Sequence, residues 1–425
     1  MTAWTEDSLA PVQARVRTVL IIGQVMAGLG MGATLSIGAI LAGQLAGSDA
    51  FSGMAATAAT LGAALAAVPL ARLAARYGRR VSLTTGALLA SLGALVTIAS
   101  TFVENFAVLL GGLAMIGVGT AVNLQSRFAA TDIAAKETRG RDLSLVVWAT
   151  TVGAVSGPNL ITPGESVGAF LGLPALAGPF VFTFVAQFSA AVVYAVALRP
   201  DPLVLARDLA TQQAAGGVGS GSFDVPDNPV MMRTAIISVA LSHATMVAVM
   251  AMTPVHLVNH GASLAIVGFT ISLHIAGMYA LAPVFGILAD RLGRIPTILV
   301  GQAILMASLL FTGFGSENEA LVVIGLVLLG LGWSAATVAG STLLTESVSV
   351  ARRAKVQGIS DLLMSGSGAT GGALAGVVLA FLGYNGLSFV ALLLVAAVVL
   401  RVVFTARSDA KKSTRANVWA STYDI

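Results

Sequence analysis

Two short runs hold the side chains with most chemistry in an otherwise apolar chain: "HATMVAVM", His243 to Met250, and "HIAGM", His274 to Met278. Met246 and Met250 are four residues apart, as are His274 and Met278. On a helix each pair therefore stands one turn apart on one face, with side chains able to converge. Thioether sulfur and imidazole nitrogen are soft to borderline donors, the set that selects copper, above all Cu(I), over Mg, Ca or Mn. With 13 Met in 425 residues, chance supplies a Met-x-x-x-Met roughly 0.4 times and a His-x-x-x-Met roughly 0.1 times at that helical spacing. Met is also a common gap-filler of apolar helices, so either motif alone is weak; the signal is their joint occurrence. His243, three residues before Met246, extends the set, carries a proton, or is a hydrogen-bonded packing histidine. His256 and His260, again four apart and beyond Pro254, are candidates for collecting metal on the outer side, with a solvated loop pair the blander reading. No Cys is present, which excludes disulfides, thiolate metal sites and a Cys nucleophile.

The elements that must position these residues are membrane spans. Apolar residues make up 56% of the chain and charged ones 10%, with a mean hydropathy of +0.90, outside the range of water-soluble domains. Stretches long enough to cross a hydrocarbon core of about 30 Å fall at 19–43, 50–71, 81–102, 105–130, 142–162, 175–198, 232–255, 264–289, 295–315, 319–345, 357–380 and 384–405. The first is too long and Gly-rich for a removable signal peptide. At 1.5 Å per residue, Met246 and His274 reach a common depth near the midplane on two antiparallel helices. Lys and Arg fall at the N-terminus, in the 2–3 loop (Arg72, Arg76, Arg79, Arg80) and other even-numbered loops, and at the C-terminus. The opposite loops carry only acids or His, such as Glu104, Glu165, Glu317 and His260. The positive-inside rule then predicts cytoplasmic termini, and the net charge of +4 is a feature of topology rather than a nucleic-acid footprint.

The stretch 199–230, with "QQAAGGVGSGSF", has linker composition and divides the chain into an N-terminal six-helix half (1–198), a cytoplasmic linker (199–230), a C-terminal six-helix half (231–405) and a cytoplasmic tail (406–425). "RLAARYGRR" after span 2 matches "GILADRLGR" after span 8, and "KETRGRDLS" and "ARRAKVQGISD" hold equivalent places after spans 4 and 10. Duplicated halves around a midplane cavity are a transporter architecture. On "GxLADRxGR", matched by Gly286, Leu288, Ala289, Asp290, Arg291, Gly293 and Arg294 and imperfectly in the first half, where Ala71 and Ala75 replace Gly and Asp, the chain resembles the major facilitator superfamily. The fold class expected is an all-α membrane protein of twelve transmembrane helices. In that loop a tight Gly turn and an Asp–Arg cluster lock one conformation at the helix ends, with Asp132 the expected partner of Arg76 or Arg79. Gly153, Gly157 and Pro158 in span 5 resemble the "GxxxGP" element of exporting members.

The Met-x-x-x-Met of span 7 followed by the His-x-x-x-Met of span 8 is similar to the CcoA-like bacterial copper importers. That resemblance implies Met246 and Met250 as the first ligand pair and His274 and Met278 as the second. It further implies import of copper across a bacterial inner membrane for cytochrome oxidase assembly, with a cytoplasmic copper-accepting protein as partner, and copper as substrate rather than resident cofactor. The competing readings are a proton-coupled exporter of small molecules or drugs with the same fold and a non-transporting metal sensor or assembly partner; an enzyme is not expected. Arg127 and Asp361 lie near span ends, where snorkelling or a loop ion pair is the expectation, and no carboxylate is expected deep in either half. Met26 and Met31, with Asn123, Gln125 and Asn159, are candidates for the opposite cavity wall, or simple packing contacts.

Overall fold

The computed structural model describes residues 6–47, 51, 53–156, 160–174, 176–214 and 227–423. Every regular element among them is helical, as lipid demands of chains that must satisfy their own backbone groups. Nine helical stretches among the described residues are long and apolar enough to span by themselves; tracing the chain through the shorter and broken ones gives twelve passes.

In the first half these are α1 (Glu6–Ala46), α2 (Gly53–Tyr77), α3 (Arg79–Phe102), α4 (Phe106–Ala129), the pair α5 (Arg139–Ser156) and α6 (Ile161–Phe170), and α7 (Pro179–Ala197). The second half has α9 (Pro229–Asn259), the broken pass α10 (Leu264–Tyr279) and α11 (Ala282–Leu292), α12 (Arg294–Phe314), α13 (Glu319–Glu346) and α14 (Val350–Tyr423). Gly383, with φ 69°, breaks α14 into the eleventh and twelfth passes. Several starts are capped by short polar side chains: Asn105 accepts from the Val108 amide, Asn228 from Met231, Ser263 from Ile266 and Asn318 from Leu321, each meeting an amide that the helix leaves unpaired. The turns α2–α3 and α11–α12 each hinge on one glycine, Gly78 at φ 93° and Gly293 at φ 99°, a left-handed conformation that side-chain-bearing residues rarely adopt. This is the repeated loop motif expressed as backbone.

The 199–230 stretch read as linker carries a helix, α8 (Pro202–Ala214). Leu203, Ala206 and Leu209, three apart, bury one face against the first half, and Asp201 ties its start to α3 by accepting from the Arg80 amide at 2.7 Å. Large apolar side chains such as Leu65, Phe170, Phe314 and Phe381 stay exposed on the outside of the bundle, the surface a hydrocarbon solvent covers.

Candidate functional site

The soft donors gather around α13, which α9 and α10 both flank. Met246 and Met278 are buried in one apolar cluster with Leu326, Leu329 and Trp333 of α13, and Met250 packs at its edge. His274 is fully buried. Its Nδ1 lies 2.8 Å from the carbonyl oxygen of Leu326; since a carbonyl can only accept, Nδ1 carries the proton and Nε2 presents its lone pair. That Nε2 is buried without a partner, the nitrogen a soft metal ion would take. The approach depends on Gly330, where an added Cβ would strike the His274 carbonyl and crowd the Met278 amide. The structure thus brings Met246 and Met278 into one core. His274, on α10, is turned toward the Leu326 carbonyl of α13, and no hydrogen bond joins the α9 pair to the α10 pair among the described residues.

His243 faces elsewhere. Its Nδ1 accepts from the indole Nε1–H of Trp333 at 3.0 Å, and its ring lies against Gly368 of α14, where a Cβ would come within 2.6 Å of the imidazole. Tyr279 stands edge-on to the same indole, centroids 5.9 Å apart. Toward the far end of the bundle, His256 is held by the Ser316 carbonyl at 2.7 Å and stacks on Tyr384 at 4.2 Å and 10°. His260 donates from Nδ1 to the His256 carbonyl at 2.8 Å and turns Nε2 to within 3.5 Å of Glu317. These groups line an open cleft of about 270 Å³ with Asn259 and Asn385. Among the described residues no three His, Cys, Asp or Glu converge as a metal group, so a metal bound in this chain would lean on thioether donors.

At the basic-loop end the halves are stitched together. Asp290 accepts from the Gly140 and Arg141 amides at 2.9 and 2.8 Å, favourable at the positive N-terminal end of α5. Gly286 lets that seam close on Gly140 and Ser144. Arg294 pairs with Asp290 at 3.2 Å and Glu346 at 2.7 Å and donates to the Lys136 carbonyl across the seam; Arg291 is exposed. In the second seam Arg79 takes Asp132 at 2.8 Å, both buried, and also donates to Gln357. Arg76, the other expected partner of Asp132, is exposed and instead lies 5.1 Å from the Tyr77 ring, while Arg79 takes the buried carboxylate.

The expectation for Arg127 and Asp361 is corrected here. They meet at 2.6 Å with side-chain exposures of 3% and 2%, a buried pair joining the two halves rather than snorkelling groups. Arg353, Gln357 and Asp361 repeat every four residues and form one stripe on α14: Arg353 donates to the Asp132 carbonyl, Gln357 receives Arg79 and Asp361 receives Arg127. That spacing inside "ARRAKVQGISD" is the sequence signal that could have found it. Gln125 accepts from Ser82 at 2.9 Å, a contact within the first half. Asn123 is buried and Met26 packs against the first-half core. Gly157, Pro158 and Asn159 lie outside the described residues, as does the side chain of Met31.

The family model described as Major Facilitator Superfamily matches residues 20–257 and 234–421. The chain belongs to the major facilitator superfamily. It is a multi-pass secondary transporter, not an enzyme. It is 39% identical over 379 residues to the uncharacterized MFS-type transporter YdeG of Bacillus subtilis, covering 88% of each chain. It is 25% identical over 395 residues to the riboflavin transporter RfnT of Brucella anthropi, covering 91% of this transporter and 94% of the relative. The human organic anion transporter MFSD10 superposes with a TM-score of 0.72 at 17% identity, over 92% of this transporter and 99% of that chain, a likeness of fold.

Proposed function

We propose that this transporter moves copper, as a soft ion, into the cytoplasm of a bacterium by alternating access, from an inner membrane in which both termini face the cytoplasm, and so serves cytochrome oxidase assembly. One observation carries the reading: the unpartnered, buried Nε2 of His274, held in ligand tautomer by Leu326 with Met278 one turn away. Leaving such an acceptor unpaired in an apolar core costs about 1–3 kcal/mol, a cost that a bound ion removes. Met246 and Met250 supply the remaining thioethers from α9. The bilayer, copper and a cytoplasmic copper-accepting protein are the partners of this reading.

A second reading, transport of a small planar organic molecule, is favoured by the Trp333, Tyr279 and His243 rings and by the riboflavin transporter among the relatives. Uptake of radioactive copper and of riboflavin by cells with and without the protein separates the two. Copper accumulation that depends on His274 supports the first; riboflavin accumulation without copper uptake overturns it.

A further inference from the structure

We propose that Asp361 is the proton-binding group that links a proton to opening of the basic-loop end, making the proton the coupling ion whatever the cargo. The hydrogen bonds between the halves gather at that end, and along α14 the Asp361–Arg127 contact lies further from the loops than those of Arg353 and Gln357. Both side chains are almost wholly buried. Only one oxygen of Asp361 is engaged: Oδ2, like Nε of Arg127, is buried without a partner. Arg127 also approaches the Met364 sulfur at 3.7 Å and lies 4.9 Å from the Phe128 ring centroid.

Rocking the halves apart at this end pulls Arg127, on α4, from Asp361, on α14. A carboxylate so stripped is strongly disfavoured in apolar surroundings. Protonation removes the penalty: the free Oδ2 takes a proton from hydronium of the acidified aqueous phase, releasing water, the carboxylate becomes a neutral acid, and Arg127 keeps its charge, since a guanidinium does not deprotonate in proteins. One O–H bond forms at Oδ2 as one breaks in hydronium, and no redox change occurs. The charged and titratable groups around the pair are Arg79 on α3, near Asp361, and His243 on α9 and Tyr279 on α10, near Arg127. Helix α2 meets α14 close by at Gly358, through Ala67 and Ala71. Asp361 is the one acid among them, since Asp132 is already engaged by Arg79.

Because the chain has no Cys, two introduced cysteines report the gate cleanly. Tyr77→Cys on α2 and Leu292→Cys on α11 are exposed positions on opposite halves. Spin labels there, read by pulsed electron resonance on the full chain in liposomes without cargo, should show a shorter distance at pH 8 and a growing longer-distance population toward pH 5. The open-to-closed ratio should change by up to about tenfold per pH unit, the limit for one linked proton. Asp361→Asn should hold the long distance at both pH values, and His243→Gln should keep the wild-type response. If Asp361→Asn does not accumulate, infrared difference spectra on acidification decide: a carboxylic-acid band that shifts in Asp361→Glu supports the assignment. A wild-type distance that does not move with pH, an Asp361→Asn protein that still responds fully, or a band unmoved in Asp361→Glu overturns it. Since no cargo is present, failure here leaves the copper reading standing, and failure of copper uptake leaves this one standing.

Discussion

His274 donates its Nδ1 proton to the carbonyl of Leu326 across the α10–α13 contact at 2.8 Å, and this bond fixes which nitrogen remains available. A tautomer held by a backbone carbonyl is a device also seen behind metal-binding histidines, where the second nitrogen's partner orients the first. Copper uptake should therefore fall at least about tenfold in His274→Ala, Met278→Ala and Met246→Ala, each of which removes one soft donor from a site with few. Membrane levels of each protein, measured by immunoblot, should stay near wild type. Uptake at the wild-type rate in both His274→Ala and Met278→Ala would sink the assignment.

Selectivity follows from the donor types. With no Cys and no converging group of three His, Asp or Glu among the described residues, Mg or Mn finds no carboxylate cage. Silver, similarly soft, should compete with radioactive copper, and excess Mn should not. Competition by Mn with none by silver would be the opposite result.

Gly330 is a further test because its role is steric. A Cβ there meets the backbone of α10 at His274 and Met278, which cannot move aside as a side-chain tip can. Gly330→Val should prise α10 from α13, weaken the His274–Leu326 bond and cost about 1–3 kcal/mol by overpacking. A lower melting temperature together with lost uptake is the expected pair of results; unchanged values of both would show that the helices are not in contact here.

What the sequence made legible divides by range. Hydropathy located the passes, and the repeated loop motif marked the glycine turns at Gly78 and Gly293 before any contact was known. Four-residue spacing put His274 and Met278 on one face, but spacing says nothing about which neighbour that face meets, and α10 turns His274 toward α13. Leu203, Ala206 and Leu209 carry a helical period too short to stand out beside a Gly- and Ser-rich run, so α8 was hidden within the linker. Arg127 and Asp361 are 234 positions apart, and each alone reads as a snorkelling end group; only the approach of α4 and α14 makes them a buried pair.

Asp132 holds Arg79 with both side chains buried. Removing one partner strands the other charge in an apolar seam, which typically costs about 3–5 kcal/mol. Asp132→Ala should therefore destabilise the closed basic-loop end. In a double variant carrying Tyr77→Cys, thiol labelling at Tyr77→Cys serves as an exposed control, while a cysteine placed at the buried Ala71 should become labelled several-fold faster. Equal labelling at position 71 with and without Asp132 would show that the pair does not hold the seam.

Trp333→Phe discriminates between the two cargo readings. The substitution keeps an aromatic ring against Tyr279 but removes the Nε1–H that His243 accepts at 3.0 Å. Under the copper reading the His274 lone pair, fixed by Leu326 rather than by Trp333, is untouched, so copper uptake should stay within about twofold, with the loss of one hydrogen bond costing only about 1 kcal/mol of stability. Under the organic reading the indole is part of the surface that meets a planar ring, and His243 loses the bond that orients it. Riboflavin uptake should then fall about tenfold, the size expected when one well-placed contact worth about 1.4 kcal/mol is lost. A variant that loses copper uptake while keeping its melting temperature would place His243 and Trp333 in the metal path and remove His274 from its sole central role.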